Sequence, residues 1–134
     1  MIKNLNKIFI PLFYIANLVL IILYLFPGSI LGCLFYEDCL IEPKITQNIM
    51  ITSNVFISSN HLYAFTFLSV LGFFTYRNIK KRKFLIMYLF SLSIILELFH
   101  IFIPIRAFEW EDLIGNILGV LLAIIAYKIK GKYV

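Results

Sequence analysis

Long apolar runs separated by short polar breaks organise this chain. The first run, residues 8–26, follows Lys3 and Lys7 and stops at Pro27 and Gly28. Three more follow, at about residues 60–76, 84–103 and 112–127. Each is close to the roughly 20 apolar residues that a helix needs to cross a bilayer. The pattern predicts an all-α membrane protein, a single domain over residues 1–134 built as a four-transmembrane-helix bundle. Residues 27–59 read as a more polar loop on the outer side. The end of that loop, "IMITSNVFI", alternates weakly and suits either a short strand or an interfacial segment. Asn17, inside the first run, is expected to bond to a neighbouring helix. Pro11 is expected in the first turns, where a missing N–H costs least. No internal repeat and no low-complexity tract is present.

Composition points the same way. The 134 residues are 62% hydrophobic and 14% charged, with a mean hydropathy of +0.96. A soluble domain of this size must cover its surface with polar groups and does not carry so little charge.

The net charge of +5 invites a nucleic-acid reading, but the placement of the charges excludes it. With four spans, both termini and the loop from Arg77 to Lys83 share one side. That side collects Lys3, Lys7, Arg77, Lys80, Lys81, Arg82, Lys83, Lys128, Lys130 and Lys132, ten of the 12 basic residues. The other side holds the remaining two, Lys44 and Arg106, with Glu37, Asp38, Glu42, Glu109, Glu111 and Asp112. The positive-inside rule then puts both termini in the cytoplasm, and the expected location is a cytoplasmic (inner) membrane, crossed several times. The basic charge serves topology and attraction to anionic lipid. The run "RNIKKRK" reads as a solvated cytoplasmic turn.

Cys33 and Cys39 fall in the outer loop, where disulfides persist. They either pair with each other or stay as two free thiols. A rival reading takes "ILGC", Ile30 to Cys33, as a loose lipoprotein cleavage box, although Leu31 fits it poorly and the apolar run before it is long for a signal core.

One stretch breaks the apolar pattern. "ELFHIFIPIRAFEWEDLIGN" places Glu97, His100, Arg106, Asp112 and Asn116 within residues 97–116. On a helix, Ser93, Glu97 and His100 share a face. Asp112, Gly115, Asn116, Gly119 and Ala123 share another, and the small residues Gly115, Gly119 and Ala123 let a second helix approach closely. Asp112 also suits the N-terminal end of its helix. A short loop makes these two helices antiparallel neighbours, so their polar ends meet near the outer surface. Arg106 lies in that loop, within reach of Glu97, Asp112 and an incoming anion. His61 begins the preceding span on the same side.

The segment Glu97-x-x-His100, Pro104-x-Arg106, Asp112-x-x-x-Asn116-x-x-Gly119 resembles the VanZ-like membrane protein family, which shows E-x-x-Q, P-x-R and D-x-x-x-N-x-x-G at this spacing. Residues around Asn60 and His61 resemble the family's D-K-x-x-H segment. The resemblance covers roughly His61 to Ala123. His100 stands where the family has Gln, and Ile57 and Ser58 stand where its acidic–basic pair is expected. An ungapped alternative puts Asn60 and His61 on that pair and Ala64 at the family's His. The family's name comes from a protein linked to low-level resistance to teicoplanin, an antibiotic acting on wall precursors. The resemblance therefore implies an envelope-related membrane protein with an outward-facing polar site, and supplies no reaction.

Three functions remain open. The first is binding of a lipid headgroup or lipid-linked wall precursor by Arg106, Glu97, His100, Asp112, Asn116 and His61; the guanidinium is a planar donor suited to phosphate. The second is structural: these polar groups only hold helices together, or hold a membrane protein partner. The third is a hydrolase or transferase acting on a lipid phosphate, with Glu97, His100 and Asp112 as acid–base candidates; catalysis is the lesser expectation. No cofactor is expected. No metal is expected either, because one Glu-x-x-His is half of the di-metal helix pattern and the second copy is missing.

Overall fold

The computed structural model describes residues 2–52 and 55–133. Its elements in chain order are α1 (Ile2–Leu25), α2 (Ile30–Tyr36), β1 (Ile49–Thr52), β2 (Val55–Ile57), α3 (Ser59–Thr75), α4 (Ile79–Phe99) and α5 (Trp110–Tyr133). The protein is thus mainly helical, with a small antiparallel hairpin that pairs Ile49 with Ile57 and Met50 with Phe56. The weak alternation in "IMITSNVFI" resolves as this hairpin. Ser53 and Asn54 lie outside the described residues. So do the side chains of Lys3, Lys130 and Lys132 from the charge count.

Among the described residues, two helices are long and apolar enough to cross a membrane, Lys7–Leu25 and Trp110–Ile129. The outward side chains of α1, among them Ile8, Ile15, Leu18 and Ile22, are exposed. An apolar outer surface of this kind suits lipid, which solvates it as water cannot.

Helix α3 is the central element. It is buried on nearly every side, from Ser59 and His61 to Phe73 and Thr75, and packs against α1, α4 and α5. Its closest neighbour is α5. A Cβ on Gly119 would stand 2.6 Å from the Leu62 carbonyl oxygen, and one on Gly115 would stand 2.8 Å from that of Ser58. Only a residue without a side chain admits a backbone that near. Ala123, one turn further, is buried on the same face. Helix α4 buries Leu85, Leu89, Leu92, Ser93, Leu96 and Glu97, a stripe at helical spacing.

Two local expectations change. Helix α1 begins at Ile2, so Pro11 lies inside it rather than in its first turns. The charge run is not a turn: Asn78 accepts from the Lys80 N–H as a cap, and Ile79 onward is helical. Arg82 then reaches across to α5, donating to the Tyr127 hydroxyl at 2.7 Å with its guanidinium over the ring. Asn17 bonds to Tyr88 of α4, as its mid-run position suggests.

Candidate functional site

The C-terminal ends of α1 and α4 and the N-terminal ends of α3 and α5 lie at one end of the bundle, and the polar residues gather there. His61 enters from the first turn of α3, Glu97 and His100 from the last turn of α4 and its cap, and Asp112 and Asn116 from the first turns of α5. A fifth member comes from α1. Tyr24 is buried, and its hydroxyl lies at the centre of the network.

The hydrogen bonds fix which atom donates. The Asn116 amide nitrogen donates to the Ser93 carbonyl at 3.3 Å, which turns Asn116 Oδ1 toward Tyr24. The Tyr24 hydroxyl gives its one proton to that oxygen at 2.6 Å. His61 Nδ1, 2.9 Å from the same hydroxyl and 3.2 Å from Asn116 Oδ1, must then carry a hydrogen. In the neutral ring this leaves the Nε2 lone pair free. Nε2 faces Asp112 Oδ2 at 3.3 Å.

Glu97 is wholly buried. Its Oε1 accepts from the Glu109 N–H at 3.1 Å and lies 3.3 Å from His100 Nδ1. His100 Nε2 donates to the Tyr24 carbonyl at 3.1 Å. Glu97 Oε2 has no hydrogen-bond partner and points toward His61, 4.0 Å from Nδ1. A buried carboxylate oxygen with no partner is expensive and calls for a reason. Negative charge accumulates around it. Burial, then the carboxylates of Asp112 and Glu111, push the nearby Glu109 carboxyl above its usual range.

Arg106 does not answer this charge. Among the described residues, no Lys or Arg forms an ion pair with Glu97 or Asp112. The guanidinium instead closes the end of α1. Nη2 donates to the carbonyls of Leu23, at 3.1 Å, and Gly28, and Nε donates to that of Phe26 at 3.3 Å. These carbonyls lie past the last intrahelical donors and need outside partners. Ile105, at φ 70°, turns the chain so that Arg106 can reach them. The Nη1 amino group has no hydrogen bond to another described residue.

Beside this network a cleft of about 390 Å³ opens between α3 and the segment after α1. Tyr24, His61, Arg106, Glu42, Asn60 and Ser29 supply its polar wall. Leu23, Ile30, Leu31, Ile45, Tyr63, Ala64 and Phe67 supply its apolar one. The segment between α2 and β1 is pinned to α3 through Asn60, whose Oδ1 accepts from the Ile45 N–H and whose amide donates to the Pro43 carbonyl. Cys33 and Cys39 are joined by a disulfide, which ties α2 to the following turn.

Of the residues expected at the site, His61, Glu97, His100, Asp112 and Asn116 come together. Arg106 and His61 line the cleft, and Gly115, Gly119 and Ala123 form the contact with α3. Tyr24 was missed: in a chain with 8 tyrosines, one inside an apolar run reads as lipid-facing bulk.

An apolar helical chain with two membrane-capable helices and a buried cluster of acids, imidazoles and amides is a membrane protein built around an internal polar centre. The chain belongs to the VanZ/LLP1 family, whose model matches residues 11–131. No curated protein and no solved structure matches it.

Proposed function

We propose that this VanZ/LLP1 family member crosses a bacterial cytoplasmic membrane four times, with both termini inside, and binds a lipid headgroup or lipid-linked wall precursor from the outer side. The observation that carries this reading is the cleft beside His61 and Arg106. Its polar wall and apolar wall match a molecule with a charged head and a hydrocarbon stem. A guanidinium with a spare amino group suits a phosphate at its edge. The ten-to-two distribution of basic residues, counted over the 12 in the chain, supports the orientation. Membership of the family supports an envelope role related to teicoplanin resistance.

A structural role for Arg106 has an observation of its own, the three carbonyls that it holds at the end of α1. The two roles are compatible, because they use different nitrogens.

The cleft is tested by filling it. Ala64 lines it, and Ala64→Phe narrows it without replacing a polar residue. Native mass spectrometry of the purified protein is expected to show a bound phospholipid or lipid phosphate, lost in Ala64→Phe at unchanged helix content. Lipid retained equally by both proteins, or none on the parent, overturns the reading.

A further inference from the structure

We infer that His61, Glu97 and Asp112 hold a divalent transition-metal ion such as Zn²⁺ or Mn²⁺. One ligand atom from each of the three lies within 4.8 Å of the others. Each comes from a different helix, α3, α4 and α5. Sequence spacing therefore could not reveal the set, and the missing second Glu-x-x-His is no obstacle to it.

Three observations support an ion. First, His61 Nε2 and Asp112 Oδ2 are 3.3 Å apart, and the neutral ring presents a lone pair there to a carboxylate. Two acceptors at that distance need a cation between them. Ligand atoms about 2.0–2.1 Å from a shared tetrahedral ion stand roughly 3.3 Å apart. Second, Glu97 Oε2 is wholly buried and unpartnered; it lies 4.0 Å from Nδ1 of the same ring and within the 4.8 Å spread of the three ligand atoms. Third, the imidazole is held as metal-binding histidines are held. Its other nitrogen donates to an oriented acceptor, here the Tyr24 hydroxyl backed by Asn116. Glu97 is likewise steadied on its other oxygen by the Glu109 N–H.

A proton is the competing cation. It can bridge His61 and Asp112, but one proton there leaves Glu97 Oε2 without a partner. A single ion among three ligand atoms that lie within 4.8 Å of one another gives Glu97 Oε2 a partner as well, and its double charge answers two carboxylates beside which, among the described residues, no Lys or Arg stands; His100, 3.3 Å from Glu97 Oε1, is a cation only when its ring is protonated. One imidazole and two carboxylates form a nitrogen–oxygen set suited to Zn²⁺ or Mn²⁺ rather than to thiophilic ions. Three protein ligands leave a coordination position open, which suits an anionic oxygen such as that of a phosphate. The ion site does not depend on the lipid reading: a protein that binds metal and no lipid leaves it standing.

The test uses full-length, tag-free protein in detergent micelles, stripped with EDTA and titrated with Zn²⁺ or Mn²⁺. Elemental analysis after desalting is expected to find about one ion per chain, the stoichiometry of one three-ligand centre. Glu97→Gln and Asp112→Asn are expected to weaken binding by about tenfold or more, the scale seen for even outer-shell losses. Glu37→Gln, an exposed acid on the outer loop, is expected to bind as the parent does. No ion on the parent, or equal binding by all variants, overturns the inference. Should the buried variants fail to fold, X-ray absorption of the Zn²⁺- or Mn²⁺-loaded parent decides. One imidazole with oxygen donors is expected; sulfur or a second imidazole overturns it.

Discussion

The Tyr24 hydroxyl on α1 donates to Asn116 Oδ1 on α5 at 2.6 Å, joining the first long helix to the last. His61 of α3 completes the junction through Nδ1, and its tautomer follows from it. Tyr24 and Asn116 together therefore set which imidazole nitrogen faces Asp112.

Tyr24→Phe tests that arrangement. Without the hydroxyl, His61 Nδ1 and Asn116 Oδ1 still lie 3.2 Å apart and can bond directly. The loss is expected to be about 1 kcal/mol rather than that of a stranded polar group. Denaturant titration in micelles measures it. Nitrogen NMR of His61 is expected to show the same Nδ1–H tautomer, held by Asn116 Oδ1 alone.

Arg106→Lys keeps the charge and loses the fork. An ammonium cannot span the carbonyls of Leu23, Phe26 and Gly28 together. The expected cost is about 2 kcal/mol, the scale of charged hydrogen bonds. Hydrogen exchange should rise at the end of α1 and leave the α3–α5 contact protected.

Gly119→Ala puts a methyl group 2.6 Å from the Leu62 carbonyl oxygen and 2.9 Å from Phe65 Cβ. Helices α3 and α5 must separate. The expected destabilisation is about 1–3 kcal/mol, as for overpacking elsewhere, read as a lower unfolding midpoint. Unchanged stability would mean that the two helices are not in close contact.

Cys33 and Cys39 are paired, so a membrane-impermeant maleimide is expected to label whole cells only after reduction. Cys33→Ser with Cys39→Ser removes a short loop closure worth about 2 kcal/mol in the chain-entropy account. Labelling without reductant contradicts the pairing, and labelling only in opened cells contradicts the proposed outer location.

Reporter fusions test the orientation. Alkaline phosphatase joined after Lys83 is expected to be inactive, and joined after Arg106 to be active. The reverse pattern would place the basic residues outside, against the positive-inside rule.

The sequence by itself determined the class, the main helices and the family. Apolar runs and scarce charge are local properties, and a chain this apolar buries its backbone polar groups by forming helices. It also determined which face of α5 would meet another helix, because Gly115, Gly119 and Ala123 recur at helical spacing. The polar face of α4 was legible for the same reason. Only the tertiary structure decided which partners these faces took. Arg106 reads as within reach of Glu97, Asp112 and an incoming anion, and closes the end of α1, because open carbonyls leave no trace in the identity of their residues. Tyr24 reads as bulk, and becomes the hub, because its neighbours His61, His100 and Asn116 arrive from three other parts of the chain. Periodicity describes one helix at a time; a site shared among four exists only once they pack.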